Sequence, residues 1–317
     1  MPANELRRDP IVERWAVIAK GRSKRPDDYR VKRKVTRRKG VCFFCPGNEH
    51  TTPPEIDRIG DARGWRVRCF PNKFAAATKD RGKSFGGFYT QLPAYGSHEV
   101  IVETTRHSGD LSDLSIKRYL EVFEMINRRE RALMKDKKTK YVTVFKNRGP
   151  EAGASLAHTH MQLISLPQVP RAVAEEAAAA WSKSSCPYCR LAEKEADSKR
   201  LIYENDGALA FTAFAGRNPF ESWIMPKKHA KSLSSLDGDG LEHFADALKN
   251  TLLALDKGLG RPPYNFHLHA SPRGRGLHFH IELVPKTRIL AGFELGFEVY
   301  INVMPPEDAA AFLRSCI

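Results

Sequence analysis

The sequence predicts an α+β protein of two similar halves, each an antiparallel sheet with flanking helices. Three observations carry this. Short runs with strand character are broken by two long segments of helical periodicity. Each half repeats one order of features: a Cys-x-x-Cys pair, strands, a strand leading to a histidine, a long helix, then two strands, the second bearing His-x-His. The steps between the histidines also agree, His107 to His158 being 51 residues and His229 to His278 being 49. Ordered similarity of this kind reads as internal duplication, with a boundary near residue 170 that divides the chain into 1–170 and 171–317.

In chain order, "DPIVERWAVIAKGR" (9–22) alternates enough to form a strand pair, and "SHEVIVETT" (97–105) is a strand rich in β-branched residues. Residues 112–136 form an amphipathic helix, with Leu114, Tyr119, Leu120, Phe123, Ile126 and Leu133 near helical spacing and Ser112 as the expected cap. "KYVTVFKNRG" (140–149) and "HTHMQLISLP" (158–167) are two strands that pair like a hairpin. An Ala-rich helix follows at 172–185. The pattern then repeats: strands in "RLIYENDGALAFTAF" and "ESWIMPKKH", a helix in "DGLEHFADALKNTLLALDKGL", and strands in "YNFHLHASP" and "LHFHIELVP".

Composition bounds the function class. The 317 residues are 41% apolar and 28% charged, enough for a sizeable core. No segment has the run of about 18 apolar residues needed to cross a membrane. The start "MPANELRRDP" shows no apolar core of a signal peptide, so a cytoplasmic location is expected. Net charge is +15, and residues 1–40 hold 14 Lys and Arg against 5 Asp and Glu, densest in "VKRKVTRRKG". Such charge suits nucleic acid or an anionic small substrate. Aromatic side chains for base stacking are not interleaved there, so a solvated basic loop beside a small anionic substrate is preferred to a nucleic-acid surface.

Four of the six cysteines form the pairs Cys42/Cys45 and Cys186/Cys189. In a cytosolic chain such pairs suggest metal binding more than disulfides. Pro46, Gly47, Pro53 and Pro54 follow the first pair, which makes it a knuckle and not the helix start that a thiol-redox motif needs. Cys69 and Cys316 have no partner in this scheme and are expected to pack as small apolar groups. In "GASLAHTHMQLISLP", His158, His160 and Gln162 fall at every second position, hence on one face of a strand. The glycine-rich loop before them is expected to direct backbone N–H groups at a phosphate. A neutral imidazole there can attack phosphorus and divide one displacement into two. Gln162 can donate to a phosphate oxygen but cannot shuttle a proton, so transfer to an acceptor should win over hydrolysis.

The stretch "NRGPEAGASLAHTHMQ" resembles the signature of the galactose-1-phosphate uridylyltransferase family, the transferase branch of the histidine-triad superfamily. "DPIVERWAVIAKGRSKRP", "CFFCPGN", "FPNKFAA", "HEVIVETTRHSGDLSDL" and "GFELGFEVYINVMPPEDAA" agree with it in family order along nearly the whole chain. One departure is Thr159, where the usual motif has proline between the two histidines. The resemblance implies two tandem histidine-triad-like halves and ping-pong nucleotidyl transfer. His160 would be the nucleophile and Gln162 the phosphoryl-oxygen ligand. Asn147, Gly153 and Ser155 would line the phosphates, and Phe70, Asn72 and Phe74 would lie by the nucleoside. Arg22 and Arg25 would reach a hexose 1-phosphate or nucleotide across a homodimer interface that shares the active site, with Phe293 and Glu294 at the sugar.

The resemblance further implies that His107 and His158 complete a structural zinc site with Cys42 and Cys45, His50 and His98 being competitors. Duplication maps this set onto Cys186, Cys189, His229 and His278 as a second zinc. A second arrangement known in the family uses a glutamate and three histidines, here Glu176, His269, His278 and His280, and would suit iron. In the second half Glu282 stands where Gln162 does, so that strand is expected to have lost nucleotidyl chemistry. The first expected reaction is UMP exchange between UDP-glucose and galactose 1-phosphate. The alternatives are an adenylyl-transferring relative such as an ADP-glucose phosphorylase, and a zinc-stabilised nucleic-acid-binding protein.

Overall fold

The structure, a computed structural model, describes residues 3–22, 25–31, 40–80, 82–181, 185–273 and 276–317. Most of the basic run at 31–40 lies outside the described residues. The strands and helices are β1 (Glu5–Arg8), β2 (Trp15–Ile18), β3 (Asp57–Asp61), β4 (Gly64–Pro71), β5 (Ser97–Val102), α1 (Ile116–Met134), β6 (Tyr141–Arg148), β7 (His160–Leu166), α2 (Arg171–Trp181), α3 (Pro187–Ala196), β8 (Leu201–Glu204), β9 (Ala208–Thr212), β10 (Ser222–Pro226), α4 (Gly238–Leu259), β11 (Tyr264–His269), β12 (His280–Pro285), α5 (Gly292–Phe297), β13 (Val299–Asn302) and α6 (Pro306–Arg314). Among the described residues, no helix is long and apolar enough to cross a membrane.

Ten strands form one antiparallel sheet in the order β3-β4-β5-β7-β6-β11-β12-β10-β9-β8. The second five strands repeat the first five in reverse, so the fold is an α+β tandem of two like units joined at β6 and β11. A small second sheet, β1-β2-β13, lies apart from it.

Strand alternation decides which side chains meet the helices. Met161 and Leu163 of β7 and Val142 and Val144 of β6 join one buried core with Tyr119, Val122, Phe123 and Ile126 of α1 and Phe244, Leu248, Leu252 and Leu255 of α4. His160 and Gln162 take the other parity and so face away from these helices. Register continues that face across the sheet: Val102 pairs with His160, Val100 with Gln162, Phe145 with Gln162, and Asn147 with Asn265.

Some boundaries differ from those read in the sequence. The opening strand pair exists, but its first strand is Glu5–Arg8 and residues 9–14 are the turn. Asp9 shapes that turn, accepting hydrogen bonds from the Ile11 and Val12 amides and pairing with Arg14. The cap of α1 is Ser115 and not Ser112. Asp110 caps a separate 3-10 turn at Leu111–Asp113, and Ser112 Oγ donates to Asp256 at 2.6 Å. Helix α3, with Cys186 at its N-cap, was not anticipated after the second cysteine pair. Cys69 is fully buried in the core, and Cys316 packs against it.

Candidate active site and metal centres

Strand β7 begins at His160, so His158 and Thr159 belong to the approach and not to the strand. This separates the three residues that simple alternation put on one face. His158 turns to the cysteines, while His160 and Gln162 stay on the site face.

The first metal cluster joins Cys42, Cys45, His107 and His158, all ligand atoms lying within 4.8 Å of one another. Cys42 Sγ and Cys45 Sγ each lie 3.6 Å from His158 Nδ1, and Cys45 Sγ lies 3.4 Å from His107 Nδ1. Bond lengths to tetrahedral zinc imply S···N edges of about 3.6 Å. His158 Nε2 donates to the Thr104 carbonyl at 2.8 Å, which leaves Nδ1 with its lone pair for a metal. The second cluster repeats this with Cys186, Cys189, His229 and His278, where Cys189 Sγ is 3.5 Å from both histidine Nδ1 atoms. Each set supplies four protein donors, which closes a tetrahedron and leaves no position for substrate. His50 is exposed in a 3-10 turn and belongs to neither set.

The glutamate-and-histidine arrangement does not form as expected, because His278 is taken by the cysteines. Glu176, His269 and His280 gather instead with Glu282. His269 Nδ1 bonds Glu176 at 2.8 Å, and Glu282 pairs with Arg217. Trp223 and Tyr188 stack on the His280 ring at 4.8 and 5.1 Å, so this counterpart of His160 is packed over by aromatic side chains.

At the first half's site, His160 Nδ1 lies 2.8 Å from the His158 carbonyl. A carbonyl only accepts, so the proton sits on Nδ1 and Nε2 carries the free lone pair. Burial pushes the His160 pKa down to about 4, which keeps the ring neutral at neutral pH. The Phe44 ring meets His160 edge-on at 5.3 Å and Phe70 at 5.3 Å.

Gln162 is oriented by a residue that sequence reasoning had set aside. The Ala76 amide donates to His98 Nδ1 at 3.1 Å, so the His98 proton is on Nε2, which donates to Gln162 Oε1 at 2.8 Å. Asn72 Nδ2 adds a longer contact of 3.4 Å to the same oxygen. With Oε1 engaged, the NH2 group is the side-chain donor that Gln162 retains. Phe44 and His98 are the functional neighbours missed in the sequence. The signal for Phe44 was its place between two metal-binding cysteines, and for His98 its parity with Val100 and Val102.

The glycine-rich loop departs from the expected phosphate nest. The amides of Ala152 and Ala154 donate to the Gly149 carbonyl, and that of Gly153 to Pro150. These three donors are therefore spent inside the loop. Gly149 and Gly153 have φ of +82° and +87°, which explains glycine at both. A Cβ at Gly153 would sit 3.7 Å from Asn147 Nδ2, so the amide of Asn147 faces this loop. Ser155 lies just beyond.

Other expected site residues are dispersed. Phe70 is buried beneath Phe44, while Phe74 is 84% exposed. Arg22 and Arg25 are exposed near the N-terminus. Phe293 packs on Phe297. Glu294 is only 3% exposed, its carboxylate held by Arg288 and the Ala291 amide, so it caps α5 and is not offered openly to a sugar.

On the helix side, Lys146 Nζ lies 2.8 Å from Glu103, both side chains no more than 1% exposed. Lys146 also meets the Thr159 hydroxyl, which donates to Glu103 at 2.6 Å. Thr159, which joins His158 of the metal cluster to His160, is thus tied to a buried ion pair. Lys146→Met should destabilise the protein by about 3–5 kcal/mol in urea denaturation, because Glu103 is left without its counter-charge. Adding Glu103→Leu should restore much of that loss. Equal stability of the single variant and wild type would sink this account.

Comparison with known proteins agrees with this arrangement. The galactose-1-phosphate uridyl transferase N-terminal domain family matches residues 2–170, and a domain of unknown function (DUF4921) matches 96–314. The ADP-glucose phosphorylase of Arabidopsis thaliana is 31% identical, covering 98% of this chain and 92% of that protein. The galactose-1-phosphate uridylyltransferase of Thermotoga maritima is 30% identical, covering 98% of both. Among solved structures, the Arabidopsis phosphorylase with bound ADP-glucose superposes with a TM-score of 0.83 at 30% identity, covering 99% of this chain and 98% of that one. A uridylyltransferase structure gives 0.77 at 31% identity, covering 99% and 98%. The chain therefore belongs to the galactose-1-phosphate uridylyltransferase family, in the transferase branch of the histidine-triad superfamily, and is a nucleotidyltransferase of that kind.

Proposed function

We propose that the protein transfers the adenylyl group of ADP-glucose to inorganic phosphate through His160. The observation that carries the transfer is the neutral His160 ring, with Nδ1–H held by the His158 carbonyl and Nε2 free. The adenylyl preference is supported by the Arabidopsis phosphorylase, whose TM-score of 0.83 exceeds the 0.77 of the uridylyltransferase structure. UMP exchange between UDP-glucose and galactose 1-phosphate is supported less well.

In the first step the Nε2 lone pair attacks the α-phosphorus. The N–P bond forms, the bond to the bridging oxygen breaks, and glucose 1-phosphate leaves. In the second, a phosphate oxygen attacks the same phosphorus, the N–P bond breaks, and ADP leaves. The Gln162 NH2 group and the Asn147 amide steady the non-bridging oxygens by donating hydrogen bonds. Neither amide is basic enough to take a proton from an attacking water, so the intermediate waits for phosphate.

Zinc is the metal proposed for both Cys2His2 sets, holding the His158 end of β7 in place. We further propose a division at residue 170 into an active half and a degenerate half. The enzyme would be a cytoplasmic homodimer, with Arg22, Arg25 and Phe293 serving a partner's hexose phosphate end. Intact-protein mass spectrometry after incubation with ADP-glucose, and separately with UDP-glucose, tests the reading. An AMP-sized adduct on His160, stable in buffer and discharged by phosphate, is expected. A UMP-sized adduct alone would move the protein to uridylyl transfer. No adduct with either, in metal-loaded protein, would overturn nucleotidyl transfer through histidine.

A further inference from the structure

The phosphate-facing amide of Asn147 has its orientation set from the other half of the chain. Asn265 lies on β11, directly across the seam from Asn147 on β6. Its Nδ2 donates to the Ala152 carbonyl at 2.8 Å and to Asn147 Oδ1 at 2.7 Å. The sense of these bonds is forced. A backbone carbonyl only accepts, so the Asn265 NH2 group must face Ala152. The same NH2 group also faces Asn147, so the Asn147 atom that meets it must be the carbonyl oxygen. That leaves Asn147 Nδ2 on the opposite side, 3.7 Å from where a Cβ on Gly153 would stand. Asn265 is 9% exposed, so water competes poorly for either bond.

We propose that Asn265 is a positioning residue for nucleotidyl transfer: it fixes the Asn147 amide with its donor toward the phosphate and clamps the glycine loop at Ala152. The inference rests on the nucleotidyl-transfer reading, with Asn147 as a phosphate ligand. It also predicts an unusual asymmetry between substitutions. Asn265→Ala frees the Asn147 amide to rotate. Asn265→Asp is nearly isosteric but offers only acceptors, so the Asn147 NH2 group should turn toward it and present oxygen to the phosphate. The aspartate variant should therefore be the worse catalyst even though it removes less volume.

The test is the single-turnover rate of adduct formation on metal-loaded protein with ADP-glucose, alongside melting temperature and metal content. Asn265→Asp is expected to slow the step by about a hundredfold to a thousandfold, the range of losing one well-placed donor. Asn265→Ala should lose less. Combined with Asn147→Ala, Asn265→Asp should cost much less than it does alone, because only its hold on the Ala152 carbonyl is left to lose. Rates that instead follow melting temperature, or additive losses in the double variant, would overturn the positioning role while leaving the transfer reading intact. A wild-type protein that forms no adduct would remove the transfer reading, and this inference with it.

Discussion

His160→Ala is expected to lower turnover by about 10⁴-fold or more, with metal content unchanged and a stability cost of only about 1 kcal/mol. In the proposed mechanism His160 is the attacking group, and none of Gln162, His158 and His98 can take its place. Gln162 is an amide without nucleophilic character, and His158 has Nε2 bonded to Thr104 and Nδ1 aimed at the cysteines. His98, an imidazole on the same face, has both ring nitrogens engaged, one by the Ala76 amide and one by Gln162. The pH dependence of the first step belongs to the same expectation. Burial holds the His160 pKa at about 4, so the ring stays neutral, and its own titration should not slow adduct formation between about pH 8 and 6. Steady-state kinetics together with adduct mapping check both. Turnover near the wild-type level in the alanine variant would mean that another residue attacks phosphorus.

Loss of the first metal site should produce the second large effect. Structural zinc contributes about 10–16 kcal/mol of apparent folding free energy in small zinc-dependent peptides at neutral pH. Here a large sheet has its own core, so Cys42→Ser should cost less, on the order of several kcal/mol. The damage should concentrate where the metal holds the chain, at residues 42–45 and at the approach to β7. Chelator titration followed by melting and by single-turnover rate should show stability falling before chemistry fails in the still-folded fraction. A metal-free, folded and inactive protein would point to a metal in the chemistry itself, against the closed four-donor sets at both sites.

The fold was legible where the sequence carries strong periodicity. Met161 and Leu163 against His160 and Gln162 show the two faces of β7 directly; the cysteine pairs pointed to metal, the family resemblance supplied His107 and His158, and the duplication carried that set to the second cluster. Boundaries depended on local hydrogen bonding that competes with periodicity. Asp110 captures the turn that Ser112 was expected to open, and Ser115 starts the helix in its place. The active-site surroundings were less readable. Asn265 and Asn147 are 118 residues apart, and nothing in "YNFHLH" announces that its first amide serves a distant strand. His98 looked like a spare metal ligand because ligation and orientation use the same side chain. The loop of residues 149–155 carried glycines for its turns, which resembled an anion nest although its amides close on themselves.

The seam between Tyr141–Arg148 and Tyr264–His269 has a consequence for how the protein responds to dilution. Were the two five-stranded units separate molecules, their junction would be an equilibrium, and the Asn265–Asn147 contact would be populated only as far as protein concentration allowed. One polypeptide makes the docking intramolecular, with an effective concentration set by the connecting chain. The Asn147 amide therefore keeps its partner at any protein concentration, and the unit whose His280 is packed over by Trp223 and Tyr188 remains tethered to the unit that carries His160.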